Sequence, residues 1–346
     1  MLDDDKARMV AVPFVRRGAW PAIRPGTFAA TIDGESSEGC AVALLGLPDD
    51  TGVRLNGGRP GAAEGPAAFR AALARFGTTF DLGADRPLAV HVYDAGDVEP
   101  AGGGDQAALE QTHARVEAAV GALHARGMVT VAVGGGHDLT YPAVAAVAAA
   151  RGHRHGLGLG RGPGRGPGRG PALGGVNLDA HLDVRERVGS GMAFRRLIAG
   201  GHLDPRAFAE VGLGRFVNDA NDVAWLRAQG ARLLTVDAIL EQGLPVESVL
   251  EEALAPGLGF VSIDLDGIDG AAAPGVSALN PCGLDVRHAC RLAEAAGRDA
   301  RVVHFDIMEL CPRHDQGGRT ARIAALLWMS FIAGFAARAE AGPAPP

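Results

Sequence analysis

The sequence predicts an α/β fold with three layers, in which helices cover both faces of a mostly parallel central sheet. Short runs rich in Val, Leu, Ile and Ala alternate with helical segments along the 346 residues. These runs are apolar throughout, as in strands that are buried on both faces. Apolar residues make up 47% of the chain, which is enough for a large core.

The elements follow in a regular order. Strands are predicted at 41–47, 88–93, 129–133, 175–179, 208–213, 232–236, 259–264 and 301–306. Helices are predicted at 66–76, 107–126, 141–150 and 323–337, and between most of the later strands. The last helix is apolar but shorter than the ~20 residues of a membrane span, so we expect it to be buried.

The composition does not divide the chain, so we expect one domain at 39–340 after an N-terminal extension at 1–38. Residues 156–171 consist mostly of Gly, Arg and Pro, and a disordered insertion is predicted there. Arg-Gly tracts can bind RNA, but this one lacks aromatic residues, which favours an insertion without a partner. Residues 341–346 are predicted to be a disordered tail.

The charge and the cysteines exclude several classes of protein. A net charge of −7 gives no reason to expect a nucleic acid or an anionic membrane as partner. The four cysteines form no C-x-x-C pair, so no structural zinc site is indicated. The first residues lack the apolar segment of a secretory signal, so we expect a cytoplasmic protein.

Three acid-and-histidine motifs follow predicted strands. They are Gly134-Gly-Gly-His137-Asp138, Asp179-Ala-His181-Leu-Asp183 and Asp264-Leu-Asp266. Alternate residues of an extended segment point to the same side, and the carboxyl ends of parallel strands meet at one edge of a sheet. We therefore expect these acidic and imidazole side chains to lie together.

Four carboxylates in one cleft need compensation, because like charges repel and raise each other's pKa. Two divalent cations would neutralise them, so the pattern predicts a two-metal site. A single such motif is more typical of a helix cap or a turn, but three together favour metal binding. Oxygen and imidazole ligands without thiolate suit Mn²⁺ better than a structural zinc.

The motifs G-G-G-H-D, D-A-H-x-D and S-x-D-x-D resemble those of the ureohydrolase family, which contains arginases and agmatinases. The resemblance extends over about residues 41–335 and implies an arginase-like version of the three-layer fold. Loops such as 51–66 and 190–195 are similar to the formimidoylglutamase branch. The resemblance implies two Mn²⁺ ions. The first would bind His137, Asp179, Asp183 and Asp264, and the second Asp179, His181, Asp264 and Asp266.

The resemblance also implies an activity. Metal-activated water would attack an amidine carbon, with N-formimidoyl-L-glutamate cleaved to L-glutamate and formamide in histidine breakdown. Glu309 matches the acidic residue that pairs with the amidinium, and it is predicted to be catalytic together with Asp266. The alternatives are an agmatinase-like or other guanidino or amidino acid hydrolase, and a metal-binding homologue with weakened catalysis. Family members are commonly trimers or hexamers, so a homo-oligomer is expected.

Four residues are candidates for binding the substrate. Asn56 and Arg59 lie on a Gly-rich loop, where an arginine could bind a carboxylate in bidentate fashion. A loop that is Gly-rich only in order to turn tightly is an equally good interpretation. Arg185 and Arg215 are further candidates for the glutamate moiety.

Three departures from the family pattern concern the substrate. The stretch 189–195 has Gly189 in place of a histidine and Met192-Ala193 in place of Thr-Pro, Asp269-Gly270 replaces Asp-Pro, and the Arg-Gly insertion immediately precedes a predicted metal-bearing strand. None of them is a predicted metal ligand. The histidines outside the motifs are expected to be ordinary surface or core residues; they are His91, His113, His124, His202, His288, His304 and His314.

Overall fold

A computed structural model describes residues 11–154 and 172–339. Within these residues a nine-stranded sheet lies between two layers of helices, and a two-stranded sheet lies apart from it. The strands are Val15–Arg16 (β1), Val42–Leu47 (β2), Phe80–Asp81 (β3), Arg86–Pro87 (β4), Val92–Val98 (β5), Val129–Gly134 (β6), Leu173–Leu178 (β7), Leu203–Leu213 (β8), Arg232–Thr235 (β9), Gly259–Asp264 (β10) and Val302–Met308 (β11).

Helices cover both faces of the large sheet. They are Thr51–Leu55 (α1), Gly65–Leu73 (α2), Gln106–Ala125 (α3), Thr140–Arg154 (α4), Ala193–Ala199 (α5), Ala220–Gln229 (α6), Val236–Leu240 (α7), Val246–Ala253 (α8), Val286–Arg298 (α9) and Arg319–Ala336 (α10). Side chains of α2, α8, α9 and α10 form one apolar core with the sheet, and those of α3, α4 and α5 form the other. The predicted α/β architecture is confirmed.

The order of the strands places the three motifs side by side. The sheet runs β1-β5-β2-β6-β11-β10-β7-β8-β9, and every pair is parallel except β1 with β5. The motifs follow β6, β7 and β10, and β11 lies between β6 and β10. Because these four strands are parallel neighbours, their carboxyl ends form one continuous edge.

The predicted strand at 88–93 is wrong in its position. Leu88 is buried without being in a strand, and β5 instead runs from Val92 to Val98, through two buried aspartates. Arg70 of α2 pairs with both, at 2.8 Å from Nη2 to Asp94 Oδ1 and 2.5 Å from Nη1 to Asp97 Oδ1. Two aspartates are unusual in a buried strand, and they are tolerated here because an arginine far away in the sequence neutralises them. The apolar pattern alone therefore did not predict this strand.

Parts of the predicted organisation lie outside the described residues. These are the insertion at 156–171, the tail at 341–346 and residues 1–10 of the N-terminal extension. The domain boundaries remain predictions. Among residues 11–154 and 172–339, no helix combines the length and the apolar character that crossing a membrane requires.

The buried ion pairs of Arg70 predict a large loss of stability when the arginine is removed. Arg70→Ala leaves two buried carboxylates without their cation, so we expect the free energy of unfolding to fall by about 3–5 kcal/mol. Arg298→Ala, which breaks an exposed pair with Glu294 in α9, should cost no more than about 0.5 kcal/mol. Chemical denaturation of both variants measures this, and equal losses would contradict the interpretation.

Candidate metal centre

The glycines of the first motif let two backbone segments approach each other. A Cβ atom at Gly135 would lie 1.8 Å from the carbonyl oxygen of Asp49, so only glycine fits there. The next residue, Gly136, donates its N–H to the same carbonyl at 2.9 Å. The chain then enters a short 3₁₀ turn that begins at His137, whose side chain is buried.

The other two motifs begin at the ends of β7 and β10. After β7, Asp183 has a φ of +46°, a conformation that residues other than glycine rarely adopt. After β10, the Oδ1 atom of Asp264 accepts the N–H of Asp266 at 2.7 Å and caps the turn that follows. These local constraints hold the carboxylates at the strand ends.

The side chains converge on two histidine nitrogens. The Nδ1 atom of His137 lies 3.1 Å from Asp179 Oδ2, 3.0 Å from Asp183 Oδ2 and 3.1 Å from Asp264 Oδ2. The Nδ1 atom of His181 lies 3.4 Å from Asp179 Oδ1 and 3.2 Å from Asp266 Oδ2. Asp179 thus presents one carboxylate oxygen to each histidine.

This geometry fits two hard cations. A ring nitrogen carries at most one hydrogen, which cannot serve three surrounding carboxylate oxygens equally. Ligand atoms about 2.1 Å from an octahedral cation lie about 3 Å from one another, which is the spacing seen here. Two groups of ligand atoms are close enough to hold an ion, and Asp179 belongs to both: His137 with Asp179 and Asp264, and Asp179 with His181 and Asp266.

All six predicted ligands are therefore brought together. Asp179 belongs to both groups and its Oδ1 atom also accepts the N–H of His181 at 2.6 Å, so its bridging role stays a prediction. Asp183 is at contact distance from His137 but lies outside the two compact groups. The Oδ1 atom of Asp264 is occupied by a backbone hydrogen bond, so its bridging role stays a prediction.

The electrostatics of the buried cluster show why it needs compensation. Burial and the charge of Asp179 raise the pKa of Asp264 to about 6, and burial and the charge of Asp264 raise that of Asp266. Burial lowers the pKa of His181, but Asp266 and Asp179 raise it more, to about 12. Cations that bind to this cluster would displace the protons that these shifted pKa values favour.

Glu309 lies at the end of β11, beside the cluster. Its φ is +62°, and its Oε1 atom accepts the backbone N–H of His137 at 3.1 Å. The Oε2 atom is buried and has no hydrogen-bond partner among the described residues. Burial, Asp264 and Asp266 raise the pKa of this carboxyl. The side chain keeps an oxygen available to a bound molecule.

A cavity of about 340 Å³ opens onto the cluster. It is lined by ligands, by Glu309 and by three of the four predicted substrate-binding residues, Asn56, Arg59 and Arg185. The fourth, Arg215, is exposed and stacks on the neighbouring Phe216, outside the lining of this cavity. The loop after β8 carries it away from the other three.

Two of these residues are held together at the cavity mouth. Arg185 donates to the amide oxygen of Asn56 at 2.7 Å, and the amide nitrogen of Asn56 donates to Ser190 at 3.3 Å. Gly189 packs here as well, because a Cβ atom would lie 3.1 Å from the carbonyl oxygen of Gly52 and 3.2 Å from the Cβ of Asn56. The loop in this chain therefore has little room for the histidine that Gly189 replaces.

Some residues around the cluster gave weak signals or none in the sequence. Asp138, next to His137, accepts a hydrogen bond from Nε2 of His113 in α3 at 2.7 Å, and this contact holds its loop against the helix. Ser262 contacts His137, and its position two residues before Asp264 on a strand could have indicated this. His113 is a core residue, as expected, but its distant partner could not be foreseen.

Comparison with known proteins agrees with this geometry. A model of the arginase family matches residues 40–334. The chain belongs to the arginase family. It is 32% identical to the formimidoylglutamase of Geobacillus thermodenitrificans (strain NG80-2) over 301 residues, which are 85% of this chain and 84% of that protein.

Two solved structures are also similar to this chain. The crystal structure of Trypanosoma cruzi formiminoglutamase with Mn²⁺₂ has a TM-score of 0.78 and 29% identity, covering 90% of this chain and 99% of that one. The proclavaminate amidino hydrolase of Streptomyces clavuligerus has a TM-score of 0.75 and 26% identity, covering 92% of this chain and 99% of that one. The predicted resemblance and the arginase-like fold are confirmed.

The shared position of Asp179 predicts how this arginase-family chain loses metal. Asp179→Ala removes an oxygen from both groups, so we expect it to bind neither ion stably. Asp183→Ala removes an oxygen near His137 alone and should retain one ion. Elemental analysis after dialysis measures both, with Glu251→Ala as the control at an exposed carboxylate. Two ions retained by Asp179→Ala would contradict the bridging assignment.

Proposed function

We propose that this chain is a manganese-dependent hydrolase of linear amidines, and that it cleaves N-formimidoyl-L-glutamate to L-glutamate and formamide. The observation that carries the proposal is the pair of ligand groups sharing Asp179, with a buried, unpartnered Glu309 oxygen beside them in one cavity. The names of the family relatives support the same activity and the same metal.

The donor set suits manganese. It consists of four carboxylates and two imidazoles with no thiolate, which favours a hard or borderline octahedral cation. When bound, the two Mn²⁺ ions would lower the pKa of a water molecule so that it becomes the nucleophile. The chain itself supplies the rest, which is the positioning of the substrate and the placement of charge around it.

Glu309 is placed to bind the cationic end of the substrate. An amidinium carries N–H groups on a planar carbon, and the free Oε2 atom of Glu309 can accept one of them in a charge-assisted hydrogen bond. The carboxyl is fixed by the N–H of His137, so it costs little reordering when the substrate binds. Asp266, whose Oδ1 atom also lacks a partner in the described part of the chain, lines the same cavity.

Two arginines are placed to bind the anionic end of the substrate. Arg185 donates to the neutral amide of Asn56, and Arg59 donates to the carbonyl oxygens of Ser277 and Val276. Neither forms an ion pair with an acidic side chain in the described ranges, so both retain uncompensated charge at the cavity mouth. N-formimidoyl-L-glutamate carries two carboxylates, and each arginine could bind one of them. Asn56 would orient Arg185 for this contact.

The proposal extends to the pathway, the compartment and the assembly of the protein. The reaction would belong to histidine breakdown, in a cytoplasmic homo-oligomer that takes a small amidino substrate. The alternatives are a guanidino substrate such as agmatine, and a homologue with weakened turnover. An assay of the Mn²⁺-loaded protein against formimidoylglutamate, agmatine and guanidinobutyrate separates them. Turnover of agmatine without turnover of formimidoylglutamate would refute the proposed substrate, and turnover of none would favour weakened catalysis.

Glu309→Gln tests the amidinium contact. The amide keeps the shape of the side chain but loses its charge, so transition-state stabilisation should fall by about 2–4 kcal/mol. This corresponds to a roughly 30- to 1,000-fold lower kcat/KM. Elemental analysis of the same preparation should still find two Mn²⁺ ions, because Glu309 belongs to neither ligand group. Loss of manganese would show that Glu309 is a ligand, and unchanged kinetics would place the amidinium elsewhere.

Arg185→Gln tests the carboxylate contact. Removing one charge-assisted hydrogen bond costs about 1.5–3 kcal/mol, so the KM for formimidoylglutamate should rise about 10- to 100-fold. Arg206→Gln, which removes an exposed arginine in β8, is the control and should leave KM unchanged. Arg215→Gln tests the fourth candidate. If Arg215→Gln raised KM while Arg185→Gln did not, the carboxylate would bind outside the cavity.

A further inference from the structure

A chain of polar side chains runs through an otherwise apolar part of the molecule. It leads from the cluster, between the sheet and helices α3 and α4, towards the C-terminal end of α3. Each member is buried, and the surrounding residues are those of the second apolar core. In order from the cluster the members are His137, Ser262, Asp306, His304, Thr130 and His124, with Thr140 as a branch.

The register of the sheet brings these residues together. Ser262 of β10 lies beside Asp306 of β11, and His304 of β11 lies beside Thr130 of β6. His304 and Asp306 are two residues apart on one strand, so both point to the same face of the sheet. The chain therefore crosses three neighbouring strands with no break in its hydrogen bonds.

The first link concerns the second nitrogen of His137. Its Nδ1 atom faces the carboxylates, and its Nε2 atom lies 2.9 Å from the hydroxyl of Ser262. For Nδ1 to bind a metal it must carry no hydrogen, so the hydrogen of the neutral ring must lie on Nε2. The hydroxyl of Ser262 then accepts from His137 and must donate its own hydrogen elsewhere.

Asp306 accepts a hydrogen bond from Ser262 and hydrogen bonds from two other groups. Its Oδ1 atom accepts from Ser262, and its Oδ2 atom accepts from Thr140 at 3.0 Å and lies 3.1 Å from His304 Nε2. A carboxylate only accepts hydrogen bonds, so each of these groups must donate to it. This one buried anion therefore sets the hydrogen-bond direction on both of its sides.

The hydrogen bonds beyond His304 have directions that are fixed in the same way. With its hydrogen on Nε2, the neutral ring of His304 accepts at Nδ1, which lies 3.1 Å from the hydroxyl of Thr130. Thr130 donates there, and its oxygen accepts from the Nε2 atom of His124 at 2.7 Å. Every hydrogen bond along the chain is therefore donated in the direction of Asp306. One set of donors and acceptors satisfies all of these hydrogen bonds, so His304 holds Asp306 in one orientation.

We propose that Asp306 and His304 are positioning residues for metal binding: acting through Ser262, they keep the hydrogen of His137 on Nε2 and leave Nδ1 free for the ion. This inference depends on the metal-binding part of the proposed function and not on the substrate. Phe194 packs edge-on against the His137 ring at 5.5 Å, so the ring plane is fixed by packing while the chain fixes the hydrogen.

The test is titration of the metal-free full-length protein with Mn²⁺ by calorimetry. Asp306→Asn keeps the shape but offers an amide N–H on one side. The amide disturbs the donor pattern at Ser262 or at His304. We expect one of the two Mn²⁺ ions to bind about 10- to 100-fold more weakly, with the other changed by less than about threefold. His304→Leu should weaken the same ion, and His304→Gln, which can still donate to Asp306, should recover part of the loss.

Thr130→Val is the matched control. It removes a buried hydroxyl from the far end of the chain and leaves all three donors to Asp306 in place. We expect a lower melting temperature with Mn²⁺ affinities within about threefold of the unmodified protein. If Asp306→Asn does not fold, the pair His304→Leu and His304→Gln decides the matter.

Three results would overturn the inference. They are unchanged affinities in Asp306→Asn, an equal loss for both ions, and a loss in Thr130→Val as large as that in His304→Leu. A different failure is an unmodified protein that binds no Mn²⁺ at all, which would refute the proposed function and this inference with it. The two failures are therefore distinguishable in one set of titrations.

Discussion

The structure around the candidate metal centre depends on the repulsion between four carboxylates grouped at the ends of two neighbouring strands, β7 and β10. Asp179 is wholly buried and lies between two histidine nitrogens, one at each of its oxygens. No arrangement of protons alone can satisfy three carboxylates around one ring nitrogen. Two cations can, and the strained backbone at Asp183 and Glu309 holds their side chains in the cavity beside the cluster.

The parallel sheet makes this concentration of charge possible. Its strands are apolar and covered on both faces, so the energy of the fold comes from burial in two cores. The carboxyl ends of the strands are then free to carry polar residues without weakening the sheet. Glycines in the loop after β6 allow the backbone of Asp49 to approach closely, which places His137 opposite the aspartates.

Polar groups inside the sheet follow a second rule, which is that each has a fixed partner. Arg70 neutralises two aspartates of β5, and Asp306 accepts hydrogen bonds from two strands and from helix α4. Buried polar groups are costly when unpaired, and they specify a single arrangement when paired. In this protein one such network anchors an edge of the sheet and the other reaches the proposed metal site.

The sequence by itself determined the α/β class, most of the strands, the six candidate ligands and the position of Glu309. These features are local, since apolar runs and alternate acidic residues depend only on neighbours in the chain. The tertiary structure decided the course of β5, the separation of Arg215 from the other arginines, and the chain from His137 to His124. Each of these depends on strand register and on contacts between residues far apart in sequence, such as Thr130 with His304, which no local pattern encodes.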